Sequence, residues 1–281
     1  MKNKTIKIND LQLFYREAGN PKNETILLLH GFPSSSHMYR NIIHELSDKY
    51  HLIAPDYIGF GLSDMPLVSE FDYSFENITQ SISDFIEALN LSSFYLLMQD
   101  YGGPIGFRIA TAYPNYIKGL IIQNANAYME GIGEWGMRIG TFKKNNDMKG
   151  LLEFKDYLIS LEGLKDQYLN EASNPQKIEP ISYLTDNAFL NRKNAKEIQT
   201  ALFSDYGNNF PKYPEWQEYF RNHQPKTLVL WGKNDRYFSQ EGAKAYSKDL
   251  QNIETHFFEG GHFMLEEYTK ESSKLITNFI N

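Results

Sequence analysis

Cysteine is absent from the 281 residues. That excludes disulfides, thiolate metal sites and a cysteine nucleophile. Excess basic charge is missing too: 28 Lys and Arg face 35 Asp and Glu, a formal net charge of −7. A broad nucleic-acid surface needs a basic face, so no nucleic-acid partner is expected. Long apolar runs are lacking. The longest, Ile26–Leu29 and Leu96–Met98 with their aromatic neighbours, fall far below the ~18 residues of a membrane span, so no membrane partner is expected either. The N-terminus, Met1-Lys2-Asn3-Lys4-Thr5-Ile6-Lys7, has a charged start but none of the apolar stretch of an export signal. The expected location is cytoplasmic. Aromatics, by contrast, are plentiful: 19 Phe, 19 Tyr and 3 Trp argue against disorder. The length suits one large α/β domain, or one domain with an insertion, burying roughly 75% of its unfolded surface.

The first 125 residues alternate two kinds of segment. Leu11–Arg16, Thr25–Leu29, His51–Ala54, Phe94–Met98 and Leu120–Ile122 are short and apolar, as buried parallel strands are. Ser36–Leu46, Phe75–Leu89 and Pro104–Ala112 read as helices. In the second of these, Ile78, Ile82, Phe85, Ile86 and Leu89 recur at spacings of three and four and share one helix face. Such alternation predicts a doubly wound α/β sheet. Residues 127–222 differ. Charged and amide residues dominate, Leu151–Leu161 and Asn194–Phe203 look helical, and no strand lies between. This predicts a helical insertion. A strand pattern returns at Thr227–Trp231, followed by a helix (Gln240–Leu250), a strand (Glu254–Phe258) and a last helix from Phe263.

Four segments with chemical potential follow strands, where open α/β sheets build their sites. They are His30-Gly31-Phe32-Pro33, Gln99-Asp100-Tyr101-Gly102-Gly103, Asn234-Asp235 and Gly260-Gly261-His262. The chain order acid, acid, His of Asp100, Asp235 and His262 is similar to the order of the α/β-hydrolase triad. Over essentially its whole length the chain resembles that superfamily: a mostly parallel doubly wound α/β core from 1–126 and 223–281, and a helical cap from 127–222. The family's usual G-x-S-x-G is missing. Asp100 stands in place of the serine, and Met98 replaces the first small residue of the elbow. An Asp here resembles two branches, the epoxide hydrolases and the haloalkane dehalogenases.

The chemistry explains why Asp fits. Displacement at an sp³ carbon needs a nucleophile that is already anionic, and a carboxylate is anionic at neutral pH without a base. The resemblance implies an alkyl ester on Asp100 and a water activated by His262. Asp235 would orient the imidazole. The N–H groups of Phe32 and Tyr101 would form the oxyanion hole. Asn126-Ala127-Tyr128-Met129-Glu130-Gly131 resembles a segment from which some dehalogenases take their acid, making Glu130 the rival of Asp235, which is preferred. His30 is expected to shape the oxyanion turn and Asp56 to be structural. Ser63 lacks the elbow context. His37, His44 and His51 have no matching carboxylates for a metal. No cofactor or metal is expected; the partners are a small apolar organic substrate and water.

The leaving group separates the two branches. An epoxide oxygen needs a proton, supplied by cap tyrosines; a halide needs N–H donors, a Trp after the nucleophile and an Asn or second Trp. Here Phe32 and Tyr101 occupy those positions. His-Gly-Phe-Pro and the placement of Tyr219 resemble epoxide hydrolases, with Tyr128, Tyr157, Tyr168 and Tyr183 as further candidate donors. Pro33 through Arg40 and Ile58-Gly59-Phe60-Gly61 look more like dehalogenases, and Trp135 or Trp216 could serve a halide. Tyr101 could serve either leaving group. Losing both standard halide donors is the heavier fact, because an unsolvated anion is costly in a dry cavity. The expected activity is therefore epoxide opening, with dehalogenation by the same Asp-ester route as the alternative. A non-catalytic receptor of the same fold and a serine esterase are further options, disfavoured by the intact triad and the missing elbow serine.

Overall fold

A computed structural model describes all 281 residues, Met1–Asn281. Strands β1 (Lys2–Ile8) and β2 (Leu11–Ala18) form a hairpin around Asn9 and Asp10. Both turn residues have positive φ, 47° and 69°, which a tight two-residue hairpin demands of its central pair. The sequence reading has no β1. Its edge position buries only Ile8, so the apolar signal is diluted by Lys2, Lys4 and Lys7.

From β2 the sheet continues through β3 (Thr25–Leu29), β4 (His51–Pro55), β5 (Phe94–Gln99), β6 (Ile117–Gln123), β7 (Thr227–Gly232) and β8 (Ile253–Phe258). The spatial order is β1-β2-β4-β3-β5-β6-β7-β8. Only the pairs β1–β2 and β2–β4 are antiparallel; every other neighbour is parallel. The central strands are apolar throughout because both faces are covered. Alternate residues feed different cores. Leu27, Leu29, Leu96, Met98 and Val229 join one. Ile26, Leu28, Leu97, Ile121 and Leu228 join the other.

Helices α1 (Arg40–Leu46), α2 (Phe75–Ala88) and α3 (Gly102–Ala112) cover the first half. In α2 the Ser74 hydroxyl accepts the Asn77 N–H, an N-cap, and Ile78, Ile82, Phe85 and Ile86 are buried as their spacing predicts. Between β6 and β7 the chain is helical: α4 (Glu134–Lys144), α5 (Met148–Leu158), α6 (Leu161–Lys165), α7 (Ile181–Leu190), α8 (Ala195–Asp205) and α9 (Tyr213–His223). A π-type turn, Asp166–Asn170, extends α6. A 3₁₀ segment, Tyr206–Lys212, joins α8 to α9. Pro211 lies inside it and has no N–H to continue an α-helical ladder. Short α10 (Gln240–Ala245) and α11 (Thr269–Ile280) complete the fold. The last helix begins at Thr269 rather than Phe263. Residues 263–268 turn tightly instead, which stacks Phe263 on Tyr168 at 3.9 Å and brings Glu266 to Arg40. No helix is long and apolar enough to cross a membrane.

Candidate active site

Asp100 sits at the crossing from β5 to α3 with φ of +50°, a strained region that costs a non-glycine residue about 1 kcal/mol or more. The neighbours make room. A Cβ on Gly102 would lie 2.1 Å from the Leu29 carbonyl oxygen, and one on Gly31 would lie 2.4 Å from the Asp100 Cβ. Both positions therefore need glycine. The bulky Met98 is accommodated across from Gly106, where a Cβ would stand 2.8 Å from the Met98 sulfur.

The Phe32 N–H donates to Asp100 Oδ1 at 2.6 Å, and the Tyr101 N–H also bonds this carboxylate. Burial pushes the Asp100 acid up to about 6, with His262 and the two N–H groups opposing. His30 is buried, its ring stacked on Tyr57 at 4.0 Å, and its Nδ1 lies 3.1 Å from the Gly31 carbonyl. Burial drives its pKa down to about 3, so it is a neutral prop of this turn.

His262 comes from the loop after β8 and Asp235 from the loop after β7. Their Nδ1 and Oδ2 atoms are 2.9 Å apart, and both side chains are inaccessible to solvent. The Asp235 carboxylate is fully engaged. Asn124 Nδ2 donates to Oδ2 at 2.7 Å, and the N–H groups of Tyr237 and Phe238 donate to Oδ1 at 2.7 and 3.2 Å. His262 Nε2 faces Asp100 Oδ2 at 3.8 Å, and the Gln99 amide touches the same nitrogen at 2.6 Å. Burial disfavours the imidazolium, but Asp235, Asp100 and a third carboxylate, Glu171, outweigh it and raise His262 to about 9.

Glu130 is not in this assembly. Its half-exposed carboxylate pairs with Lys248, because the chain after β6 leads it outward to the 3₁₀ turn Met129–Gly131. The carboxylate bonded to the imidazole is that of Asp235, the preferred acid, and not that of its rival Glu130.

A cavity of about 260 Å³ opens over Asp100. Phe32 and Tyr101 wall it from the sheet side; Ile139, Phe203, Tyr206 and Phe210 wall it from the helical stretch. Three candidate leaving-group contacts lie elsewhere. Tyr219 is buried beside Phe220 and stacks on His223. Trp216 packs on Phe107, with the Arg108 guanidinium over its ring. Both belong to α9, whose apolar face meets α3 rather than the cavity. Trp135 packs against Phe154 and Tyr237 under the Arg236 guanidinium. Only Tyr101 of these contacts reaches the cavity.

Three residues were not anticipated. Tyr206 lines the cavity, and its buried hydroxyl has no hydrogen-bond partner. The Tyr213 hydroxyl, which accepts Asn126 Nδ2 at 3.4 Å, stands near it. Nothing local marks Tyr206 among 19 tyrosines. Asn124 follows β6 directly, and that strand-end position was a usable signal. Glu171 lies in the helical stretch with no motif around it.

A family model described as alpha/beta hydrolase fold matches residues 24–268. An uncharacterized hydrolase of Saccharomyces cerevisiae is 38% identical over 267 residues, covering 94% of this chain and 91% of the relative. Epoxide hydrolase 3 of Mus musculus is 26% identical, covering 98% of this chain and 75% of the relative. The crystal structure of haloalkane dehalogenase DbeA from Bradyrhizobium elkani superposes with a TM-score of 0.83 at 19% identity, covering 99% of this chain and 97% of that one.

Proposed function

The chain belongs to the α/β-hydrolase family, and on that premise we propose that it opens epoxides of small apolar substrates through an ester on Asp100. Residues 127–222 act as its cap, and 1–126 with 223–281 as its core. Asp100 attacks an epoxide carbon, the carbon–oxygen bond breaks, and the departing oxygen takes the Tyr206 proton. Tyr101, on the sheet side, is a second tyrosine of the same cavity. The product is a hydroxyalkyl ester on Asp100.

Ester formation has an electrostatic consequence. The charge of Asp100 is one of the causes that hold His262 protonated. Once esterified, Asp100 is neutral, so the His262 pKa falls and the imidazole becomes a usable base. It takes one proton from water, and the water oxygen adds to the Asp100 carbonyl carbon. The N–H groups of Phe32 and Tyr101 stabilise the resulting oxyanion, each worth about 3–4 kcal/mol in comparable sites. Collapse expels the diol oxygen. The two protons of water end on that oxygen and on the Tyr206 oxygen, which restores both carboxylate and phenol.

The observation that carries the epoxide choice is the cavity wall. Its lining holds three tyrosines, Tyr101, Tyr206 and Tyr237, of which Tyr206 has a buried hydroxyl without a partner, and no indole or carboxamide. A departing oxygen needs a proton and is served here; a departing halide needs N–H donors. The one ammonium on the wall, Lys143, is exposed and leans on the Ser204 carbonyl at 3.3 Å.

The test is the intact mass of a His262→Gln variant after incubation with styrene oxide, 1,2-epoxyhexane or 1-bromohexane. Without its base the enzyme stalls as the ester. A gain equal to the whole epoxide is expected. A gain of a hexyl group without bromine would make the protein a dehalogenase. No adduct from any compound, with an inactive parent protein, would remove the Asp-ester reading and favour a ligand receptor.

A further inference from the structure

Glu171 belongs to the helical stretch, yet its carboxylate is spent on the catalytic loops. It ends the π-type turn Asp166–Asn170 and is buried, at 3% exposure. Its Oε2 accepts the backbone N–H of His262 at 2.8 Å. Its Oε1 accepts Arg236 Nε at 2.8 Å, one residue beyond Asp235. Its backbone carbonyl accepts Asn234 Nδ2 at 3.1 Å. A Cβ on Gly261 would lie 2.1 Å from the Glu171 Cβ, so the acid arm lies flat on the glycine before the histidine. One residue of the helical stretch therefore grips both loops that carry the acid and the base.

The charges around it are accounted for. From the core it faces Asp235, Arg236 and His262. From its own segment Asp166 shares Arg236, with Oδ2 at 3.0 Å. Beyond it, Glu267 holds the Ser173 and Asn174 N–H groups. Burial and Asp235 push the Glu171 acid up to about 7, against His262 and Arg236. A single guanidinium thus serves two carboxylates of the helical stretch beside an already paired Asp235.

We propose that Glu171 is a positioning residue for His262, through which the helical stretch governs the water-activating half of the reaction. It fixes the histidine loop through the backbone N–H, and its charge supports the imidazolium that forms as water is deprotonated. Asp100 has its own two N–H donors, so ester formation does not depend on this grip. The inference rests on the Asp-ester reading.

The experiment measures the two half-reactions separately, by quenched-flow intact mass with styrene oxide, in the full-length Glu171→Gln and Glu171→Ala proteins. Glutamine keeps an acceptor for the His262 N–H but loses the charge; alanine loses both. Ester formation should stay within twofold of the parent in Glu171→Gln. Ester breakdown should slow by up to about 100-fold, the scale of a small displacement in an active site, so that ester accumulates at steady state. Its pH midpoint should move lower, because a negative charge that raises His262 has gone. Alanine should slow breakdown further. Parent-like breakdown and an unshifted midpoint in both variants would refute the proposal. So would equal losses in both half-reactions with a fall in Tm, the mark of a merely structural residue. Absence of any ester in His262→Gln would instead remove the reading beneath it, and the inference with it.

Discussion

Replacing Tyr206 by phenylalanine deletes one oxygen and leaves the ring. That ring packs edge-on against Phe75 at 5.6 Å and tilted against Tyr101 at 5.8 Å, contacts the variant keeps. The hydroxyl has no partner to lose. A buried polar group without a hydrogen bond costs about 1–3 kcal/mol, so its removal should stabilise the fold by that order. In a chain of this length each kcal/mol raises Tm by about 2 °C. Catalysis should move the opposite way. If Tyr206 protonates the departing oxygen, its loss costs about 100-fold or more in kcat. The defect should fall on ester formation, because the hydroxyl acts before water does. Circular-dichroism melting and quenched-flow ester formation with styrene oxide read the two effects on one preparation. A less active but more stable variant is the expected result. Unchanged ester formation would refute the donor role. A Tm several degrees lower would show that the hydroxyl is bonded in the native state and that the reasoning from its isolation is wrong.

Other perturbations probe the rest of the site. Asp235→Asn should slow ester breakdown by about 10⁴-fold, the scale seen when the acid of a triad is neutralised, whereas Glu130→Gln should leave turnover within twofold; steady-state diol formation distinguishes them. Gly102→Ala should destabilise by about 2 kcal/mol or more, since the new Cβ lies 2.1 Å from the Leu29 carbonyl oxygen, and urea unfolding measures it. His262 lifts from 6.5 unfolded to about 9 folded. A raised folded pKa contributes stability that is complete below the unfolded value and lost as pH rises through the folded one. The shift corresponds to about 3 kcal/mol, so chemical-denaturation stability should decline between pH 6.5 and 9 in the parent. His262→Gln should flatten that decline; an equally steep slope in the variant would assign it to other groups.

Local pattern carried a great deal of this protein. Continuous apolar segments identify the buried parallel strands, because such strands have no solvent face to mark. Helical spacing identifies α2 down to its buried residues. Chain order and strand-end position single out Asp100, Asp235 and His262, since an open α/β sheet collects its chemistry at strand ends. What local pattern missed depends on contacts made across the fold. The partner of a carboxylate is set by which loops meet, and Glu130 and Asp235 differ by where their strands deliver them. That Tyr206, among 19 tyrosines, lines the cavity follows from the break between α8 and α9, not from any motif. Tyr219 and Trp216 turn away because the apolar face of α9 is consumed by α3. Glu171 reaches His262 across 91 residues of chain, and no local period or motif encodes a contact of that range. Residue type and spacing determined the sheet, the tight crossing at Asp100 and the strand-end placement of Asp100, Asp235 and His262. The walls of the cavity and the groups that hold the base were decided only when the helical stretch packed onto the sheet.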